Sequence, residues 1–417
     1  MDLWHIRGGR KLEGSCYVQG SKNATLPILA ATILFPLRCE LYHVPRLSDV
    51  DAALRILRHL GCRAQQQGDK VLIDSTGLSC CAIPHELMAE MRSSVIFMGA
   101  LLARCGEASL SLPGGCRLGK RPIDLHLAAL RKLGAEIEES RGNILCRPAR
   151  LHGAEIVLPF PSVGATENAM LAACGAKGET LIRGVAREPE ITALQHFLCQ
   201  AGAEIHGAGT DTIHIAGLRK RKSVQFRIPY DRIAAASLAC AAAAAGGNLH
   251  LRGIDPGQIS TVLHFLNEAG CDIISSDYAL RLRCEGRLKA VGPVVTAPYP
   301  GFPTDAQPLL MAALLKARGE SLLYESIFEN RFRQAEELRR LGAEIQICGR
   351  SARIRGVERL HGAALRATDL RGGAAMILAG LSAEGETLVM DEGHIARGYE
   401  SFDRCLQSLG ADIVLEH

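Results

Sequence analysis

The chain has 417 residues, of which 47% are hydrophobic, 22% charged and 4% aromatic, with 48 basic residues against 44 acidic ones and a net charge of +4. This composition excludes a disordered chain, and the length exceeds what one hydrophobic core usually organises, so two or three domains are expected. The small charge excess lacks the basic stripe that binds nucleic acid, and the apolar stretches near Ala24–Phe35 and Ile233–Ala245 fall short of the ~20 residues that span a bilayer.

The opening segment Met1–Gly14 holds no long apolar run and does not read as a signal peptide. The 15 cysteines form no CxxC pair, which argues against a zinc ribbon. They are expected to be mostly small buried core residues with free thiols in a reducing cytosol. The basic run Arg219-Lys220-Arg221-Lys222 lies between two strand-like segments and reads as a solvated turn.

From there one pattern recurs along the chain. LRHLGCRA, LRKLGAEI, LCQAGAEI, LNEAGCDI, LRRLGAEI and LQSLGADI place glycines at 61, 134, 202, 270, 342 and 410, and successive glycines lie 73, 68, 68, 72 and 68 residues apart. In each copy leucines at helical spacing make a core face, the glycine supplies a left-handed C-cap, and alternating residues then predict a strand. In step with these come small-residue helices, ATLPILAATILF, SSVIFMGALLARC, TENAMLAACGAK, IAAASLACAAAAA, DAQPLLMAALLKA and GGAAMILAGLSAE, each followed by a further strand such as GETLIRGV or GETLVMDE. LEGSCYVQ, LHGAEIVL and LHGAALRA open several copies as strands. Six units of about 70 residues give either two α/β domains of three units or an even solenoid, and the pattern alone leaves both open.

The entrances to the small-residue helices carry the polar groups. They read Gly20-Ser21-Lys22-Asn23, Met91-Arg92-Ser93-Ser94, Ser162-Val163-Gly164-Ala165-Thr166, Tyr230-Asp231-Arg232, Phe302-Pro303-Thr304-Asp305 and Thr368-Asp369-Leu370-Arg371. Helix N-termini present free N–H groups and partial positive charge, so several converging ends make an anion site; simple N-capping by Ser and Asp is the competing reading. The cations Lys22, Arg92, Arg232 and Arg371 oppose the dipole at these ends, and a shared polyanionic ligand accounts for them together. The segment from Leu112 to Arg121 sets Cys116 among three glycines and three cations, which lowers a thiol's pKa and raises its reactivity. Arg121, Arg331 and Arg397 are candidates for bidentate clamping of phosphate or carboxylate, and Asp305 is either a general base or a helix cap.

Eight ordered motifs then resemble the UDP-N-acetylglucosamine 1-carboxyvinyltransferase family. They are GSKNA at Gly20–Ala24, LPGGCRLGKRPIDLH at Leu112–His126, FPSVGATEN at Phe160–Asn168, AREPEI at Ala186–Ile191, FPTDAQ at Phe302–Gln307, FENRF at Phe328–Phe332, TDLR at Thr368–Arg371 and RGYE at Arg397–Glu400. The resemblance implies an α/β fold of two similar inside-out barrel domains, each of three βαβαββ units with helices inside. The first domain would cover 22–229, and the second 1–21 with 230–417. The active site would lie in the interdomain cleft and close on binding.

The resemblance also implies roles. Cys116 matches the proton donor to phosphoenolpyruvate, and an epoxide such as fosfomycin is expected to alkylate it. Asp305 matches the carboxylate that takes the proton from the sugar 3-hydroxyl. Lys22, Arg121 and Arg397 match the cations around phosphoenolpyruvate, with Lys22 and Arg397 counted as catalytic. Asn23, Arg92, Arg121, Pro122, Ile123, Asp124, Leu125, Asp305 and Ile327 match sugar-nucleotide contacts. Ser162, Val163, Gly164, Arg331, Asp369 and Arg371 complete the implied substrate site. The implied partners are phosphoenolpyruvate and UDP-N-acetylglucosamine, with no nucleic acid, no membrane insertion, no metal and no organic cofactor. The implied setting is cytoplasmic peptidoglycan synthesis, which serves cell shape and division.

Some positions depart from the family pattern. Pro-Asp-Arg-Ile-Glu-x-Gly-Thr reads here Tyr230-Asp231-Arg232-Ile233-Ala234-Ala235-Ala236-Ser237, Ala306 stands where Met is usual, and Ala396 where an acid often precedes RGY. A shikimate-phosphate enolpyruvyl transferase and a diverged, low-activity or non-catalytic paralogue are the alternatives.

Overall fold

The six glycines that end the repeat helices all have positive φ, at 95° for Gly61, 95° for Gly134, 106° for Gly202, 105° for Gly270, 91° for Gly342 and 96° for Gly410. A side chain at such a φ is strained, so glycine is the residue that lets each helix stop and turn into its strand. The computed structural model describes residues 1–111, 123–140, 142–147, 150–218 and 222–417, with Arg92 and Leu218 described by their backbone alone. Three residues of the basic run, Arg219 to Arg221, thus lie outside the described residues, while Lys222 is exposed as expected.

The described strands form six four-stranded sheets of one common order. In one copy Glu155–Val157 lies parallel to Thr180–Arg183, which runs antiparallel to Thr212–Leu218, itself antiparallel to Ala203–His206. In four copies a small-residue helix links the parallel pair, and in the other two it leads into one strand of a pair whose partner comes from a distant segment. These helices are α1 (Lys22–Ala31), α2 (Phe97–Cys105), α3 (Val163–Cys174), α4 (Arg232–Ala245), α5 (Gln307–Leu314) and α6 (Leu370–Ser382). All are buried over most of their circumference, as helices without a polar face must be. Their small residues allow close packing. At Gly99 of α2 a Cβ would fall 2.4 Å from the Asn168 carbonyl oxygen, so no larger residue fits there.

The chain divides into two units, one within Gly20–Pro229 and the other joining Met1–Gln19 to Tyr230–His417. Gly20 and Ser21 go with the first unit, where the sequence reading ended the other domain at residue 21. Ser21 caps α1 and its N–H donates to the Pro229 carbonyl at 2.8 Å, which fastens it there. In the first unit α2 lies along α3 and touches α1. In the second unit α4, α5 and α6 pack pairwise. Each unit has its own hydrophobic core between central helices and sheets. The sheets remain six separate open sheets among the described residues.

Segments distant in sequence complete these sheets. Val224–Arg227 pairs parallel with Arg38–Tyr42 in the first unit. In the second, Leu12–Tyr17 pairs parallel with Gly247–Arg252, and Asp2–Arg7 sits between Glu386–Asp391 and Asp412–Glu416. The cysteines need one correction. Cys39, Cys62, Cys146, Cys174 and Cys240 are buried free thiols as expected, but Cys105, Cys199 and Cys348 are exposed. Cys271 and Cys284 form a disulfide with Cα atoms 4.6 Å apart. The hairpin register pairs Asp272 with Arg283, so these two cysteines fall opposite each other one step further along.

Candidate functional site

In the first unit Ser21 accepts from the Ala24 N–H at 3.2 Å, and Lys22 follows as the first helical residue. The Lys22 ammonium lies 2.6 Å from the Asp49 carboxylate, and both side chains are buried. This carboxylate offsets the cost of a buried cation at the positive end of a helix. Asn23 beside it is half-buried.

The entrance to α3 is organised by a buried polar network. Ser162 accepts from Ala165 N at 3.4 Å, and the Thr166 hydroxyl donates to the Ser162 carbonyl at 2.8 Å. Asn168 donates to the Val95 carbonyl at 3.0 Å, accepts from Gly99 N at 2.7 Å, and lies 2.8 Å from His126 Nδ1. Burial pushes the His126 imidazole down to about 4, against the opposing pull of Asp124. The neutral ring therefore accepts from Asn168 through Nδ1 and carries its proton on Nε2. His126 also touches Gly164, where a Cβ would lie 2.9 Å from His126 Cε1. The ring thus joins the segment carrying Ile123, Asp124 and Leu125 to the one carrying Ser162, Val163 and Gly164. Deeper in α3 sits Glu167, whose carboxyl burial and then Glu190 and Glu188 push well above the usual range. The AREPEI segment supplies those neighbours, held by an Ala186 N–H bond to the Thr166 hydroxyl at 3.1 Å.

In the second unit Asp305 is the centre of a charged cluster. Arg331 Nη2 donates to Asp305 Oδ1 at 2.9 Å, and Arg371 Nη2 lies 3.3 Å from Oδ2. Arg331 Nε donates to the Thr304 carbonyl at 3.2 Å, and its Nη1 lies 3.7 Å from Asp369. The Arg331 and Arg371 side chains are 2% and 3% exposed, whereas Asp305 keeps 33%, so the carboxylate is the cluster's face to solvent. Burial opposes the charge of Arg371, but Tyr399, Asp305 and Asp231 together raise it, so the guanidinium stays charged. Its charge lies over the Tyr399 ring at 5.2 Å from the centroid, and the Tyr399 hydroxyl bonds Ser237 at 2.7 Å. Burial pushes the Tyr399 phenol up, against the pull of Arg371.

Asp305 precedes α5 in a turn and does not cap it; the cap position is Ala306. The capping reading holds instead for Asp231, which accepts from Ile233 N at 2.8 Å and Ala234 N at 3.0 Å. It holds also for Asp369, which accepts from Arg371 N at 3.0 Å and Gly372 N at 3.1 Å. Ile327 is held through its backbone by the buried Glu325, which also accepts from the Thr304 hydroxyl at 2.9 Å. Arg397 ends a short 3-10 turn, Ile395–Arg397, and is half-buried. That turn adjoins the start of α6, since a Cβ on Gly398 would meet Leu370 at 2.7 Å.

Cys116, Arg121 and Pro122 lie outside the described residues, and of Arg92 only the backbone is described, in the 3-10 segment Arg92–Ile96. Sequence reasoning missed Asp49, which pairs with Lys22, and Glu325, which holds Thr304 as well as the Ile327 backbone. It quoted His126, Asn168 and Tyr399 inside motifs without giving them work, although His126 and Asn168, polar residues beside apolar helix faces, were a usable hint. A cavity of about 650 Å³ lined by Pro256, Ser260, His264, Asn267 and Ile273 holds none of the candidate residues.

Comparison with known proteins adds to this geometry. A family profile described as EPSP synthase (3-phosphoshikimate 1-carboxyvinyltransferase) matches residues 6–406. The chain is 49% identical over 414 residues to UDP-N-acetylglucosamine 1-carboxyvinyltransferase 2 of Caldanaerobacter subterraneus subsp. tengcongensis, covering 99% of both chains. It is 46% identical over 413 residues to the UDP-N-acetylglucosamine 1-carboxyvinyltransferase of Oleidesulfovibrio alaskensis, again covering 99% of both. Among solved structures, the enolpyruvyl transferase NikO from Streptomyces tendae superposes with a TM-score of 0.89 at 25% identity, covering 99% of this chain and 98% of the other. EPSP synthase from Acinetobacter baumannii shares the fold, with a TM-score of 0.77 at 20% identity over 100% of both chains.

Proposed function

The chain belongs to the UDP-N-acetylglucosamine 1-carboxyvinyltransferases within the EPSP synthase family, and on that premise we propose how its own residues perform the reaction. The enzyme transfers the enolpyruvyl group of phosphoenolpyruvate to the 3-hydroxyl of UDP-N-acetylglucosamine and releases phosphate. The supporting observation is the Asp305 carboxylate, held on both oxygens by two buried guanidinium groups and still one-third exposed. An ionised carboxylate only accepts hydrogen bonds, so a sugar hydroxyl is a fitting partner for its open side.

In this reading the Cys116 thiol gives its proton to the methylene carbon of phosphoenolpyruvate, leaving an oxocarbenium-like centre at the adjacent carbon. The 3-hydroxyl oxygen attacks that carbon while Asp305 takes the hydroxyl proton. Loss of phosphate and of one methyl proton then restores the double bond on the new ether. Lys22, Arg121 and Arg397 hold the phosphate and carboxylate of phosphoenolpyruvate, and Arg331 and Arg371 hold and aim Asp305. Arg92, Asn23, Ile327 and the 123–125 and 162–164 segments hold the sugar nucleotide. In this reading the reaction runs in the cytoplasm, and its product feeds peptidoglycan synthesis and hence cell-wall growth and division.

Phosphate release from phosphoenolpyruvate tests the reading. Release is expected with UDP-N-acetylglucosamine and not with shikimate 3-phosphate. Release with shikimate 3-phosphate alone, or with neither acceptor, would overturn it. Intact mass after fosfomycin treatment is expected to show one adduct that disappears in Cys116→Ala.

A further inference from the structure

We propose that Gln19 is a positioning residue for Arg397. Gln19 follows the strand Leu12–Tyr17, and its side chain reaches the turn near the other end of the chain. Its Nε2 donates to the Gly398 carbonyl at 3.0 Å, and its Oε1 accepts from the Glu400 N–H at 2.8 Å. The Gly398 carbonyl can only accept and the Glu400 N–H can only donate, so these partners fix which way the amide faces. Only a side-chain amide meets both needs in one plane, and asparagine is a methylene too short to reach. The Gln19 backbone carbonyl meanwhile accepts from Asp231 N at 2.9 Å, and Asp231 caps α4. One residue thus fastens the Arg397 turn to the entrance of a central helix.

The turn is one that needs fastening. On its N-terminal side Asp391 accepts from His394 N at 2.8 Å and Ile395 N at 3.0 Å. On its C-terminal side Ser401 adopts φ 43°, a left-handed conformation that costs a non-glycine residue about 1 kcal/mol or more. Gln19 grips two of the four peptide groups between Arg397 and that strained residue. Releasing them lets the backbone relax and moves the guanidinium. A displacement on the order of 1 Å is enough to weaken a well-oriented site about a hundredfold.

The proposal rests on Arg397 binding phosphoenolpyruvate, and the experiment separates the two ideas. Steady-state kinetics with each substrate varied in turn are measured for the full-length wild type, Gln19→Ala, Gln19→Glu, Arg397→Ala and the double variant, each checked for folding by circular dichroism. Gln19→Ala is expected to raise KM for phosphoenolpyruvate about tenfold while KM for the sugar nucleotide changes less than twofold. Gln19→Glu retains the acceptor alone and should fall between wild type and alanine; it also serves if the alanine variant does not fold. The double variant should match Arg397→Ala, because Gln19 acts through it. A Gln19→Ala enzyme with wild-type KM for phosphoenolpyruvate, beside an impaired Arg397→Ala, would overturn the proposal alone. Equal losses toward both substrates would overturn it as well. An unimpaired Arg397→Ala would overturn the Arg397 assignment together with the proposal.

Discussion

His126 and Glu167 sit in the same unit and respond to pH in opposite directions. The imidazole is depressed to about 4 by burial, so between about 6.5 and 4 the unfolded chain binds a proton that the folded chain refuses. Stability from this group is therefore present above pH 6.5 and lost as pH falls through that window. Glu167 is raised by burial, Glu190 and Glu188, so above its ordinary range the folded chain keeps a proton that the unfolded chain has released. Its contribution is full below about pH 4.5 and declines as pH rises, by at most about 1.4 kcal/mol per pH unit. Two measurements check this. The His126 ring resonances should not titrate above pH 5 in a histidine NMR series, and a midpoint near 6.5 would contradict the buried network. Glu167→Gln should gain stability relative to wild type when urea unfolding is compared at pH 8 and pH 5, and a pH-independent difference would contradict the raised carboxyl.

At the scale of elements the entrance to α3 depends on an absent side chain. A Cβ on Gly164 would lie 2.9 Å from His126 Cε1, and the ring has little room to yield because Asn168 holds its Nδ1. Gly164→Ala should therefore cost about 1–3 kcal/mol in urea unfolding, the usual range for overpacking, and weaken sugar-nucleotide binding. Wild-type values for both would show that the ring swings aside freely. The repeat glycines were readable from sequence because a left-handed C-cap is a local requirement that one residue type meets. The small-residue helices were readable because an unbroken apolar run has nowhere to go but inward. Gln19, Asp49 and Glu325 were not readable. Each works through a partner brought close by the fold, and a single polar residue carries no periodicity of its own. The Cys271–Cys284 bridge was missed for the same reason, since it follows from a hairpin register that the composition does not display.

At the scale of the whole chain, the order of segments follows from how each unit closes its sheets. Every copy needs an edge strand parallel to its second strand, and the copy beginning at α1 takes that strand from Val224–Arg227, about 200 residues downstream. With it supplied, all three sheets of the first unit are complete within residues 20–229. A fragment of residues 20–229 should then fold alone and unfold cooperatively. A fragment of residues 20–222 should not. It loses the buried Val224, Phe226 and Ile228, and with Phe226 an edge-to-face contact on Phe197 at 5.7 Å. At about 1.5–3 kcal/mol for each buried side chain the loss is about 5–9 kcal/mol, comparable with the whole stability of a typical domain. It also bares the strand Arg38–Tyr42 as an unpaired edge, which invites association between chains. Circular dichroism melts and size-exclusion profiles of the two fragments decide the matter. Equal cooperativity in both would mean that the returning strand is dispensable, and the first unit would then be closed by its helices alone.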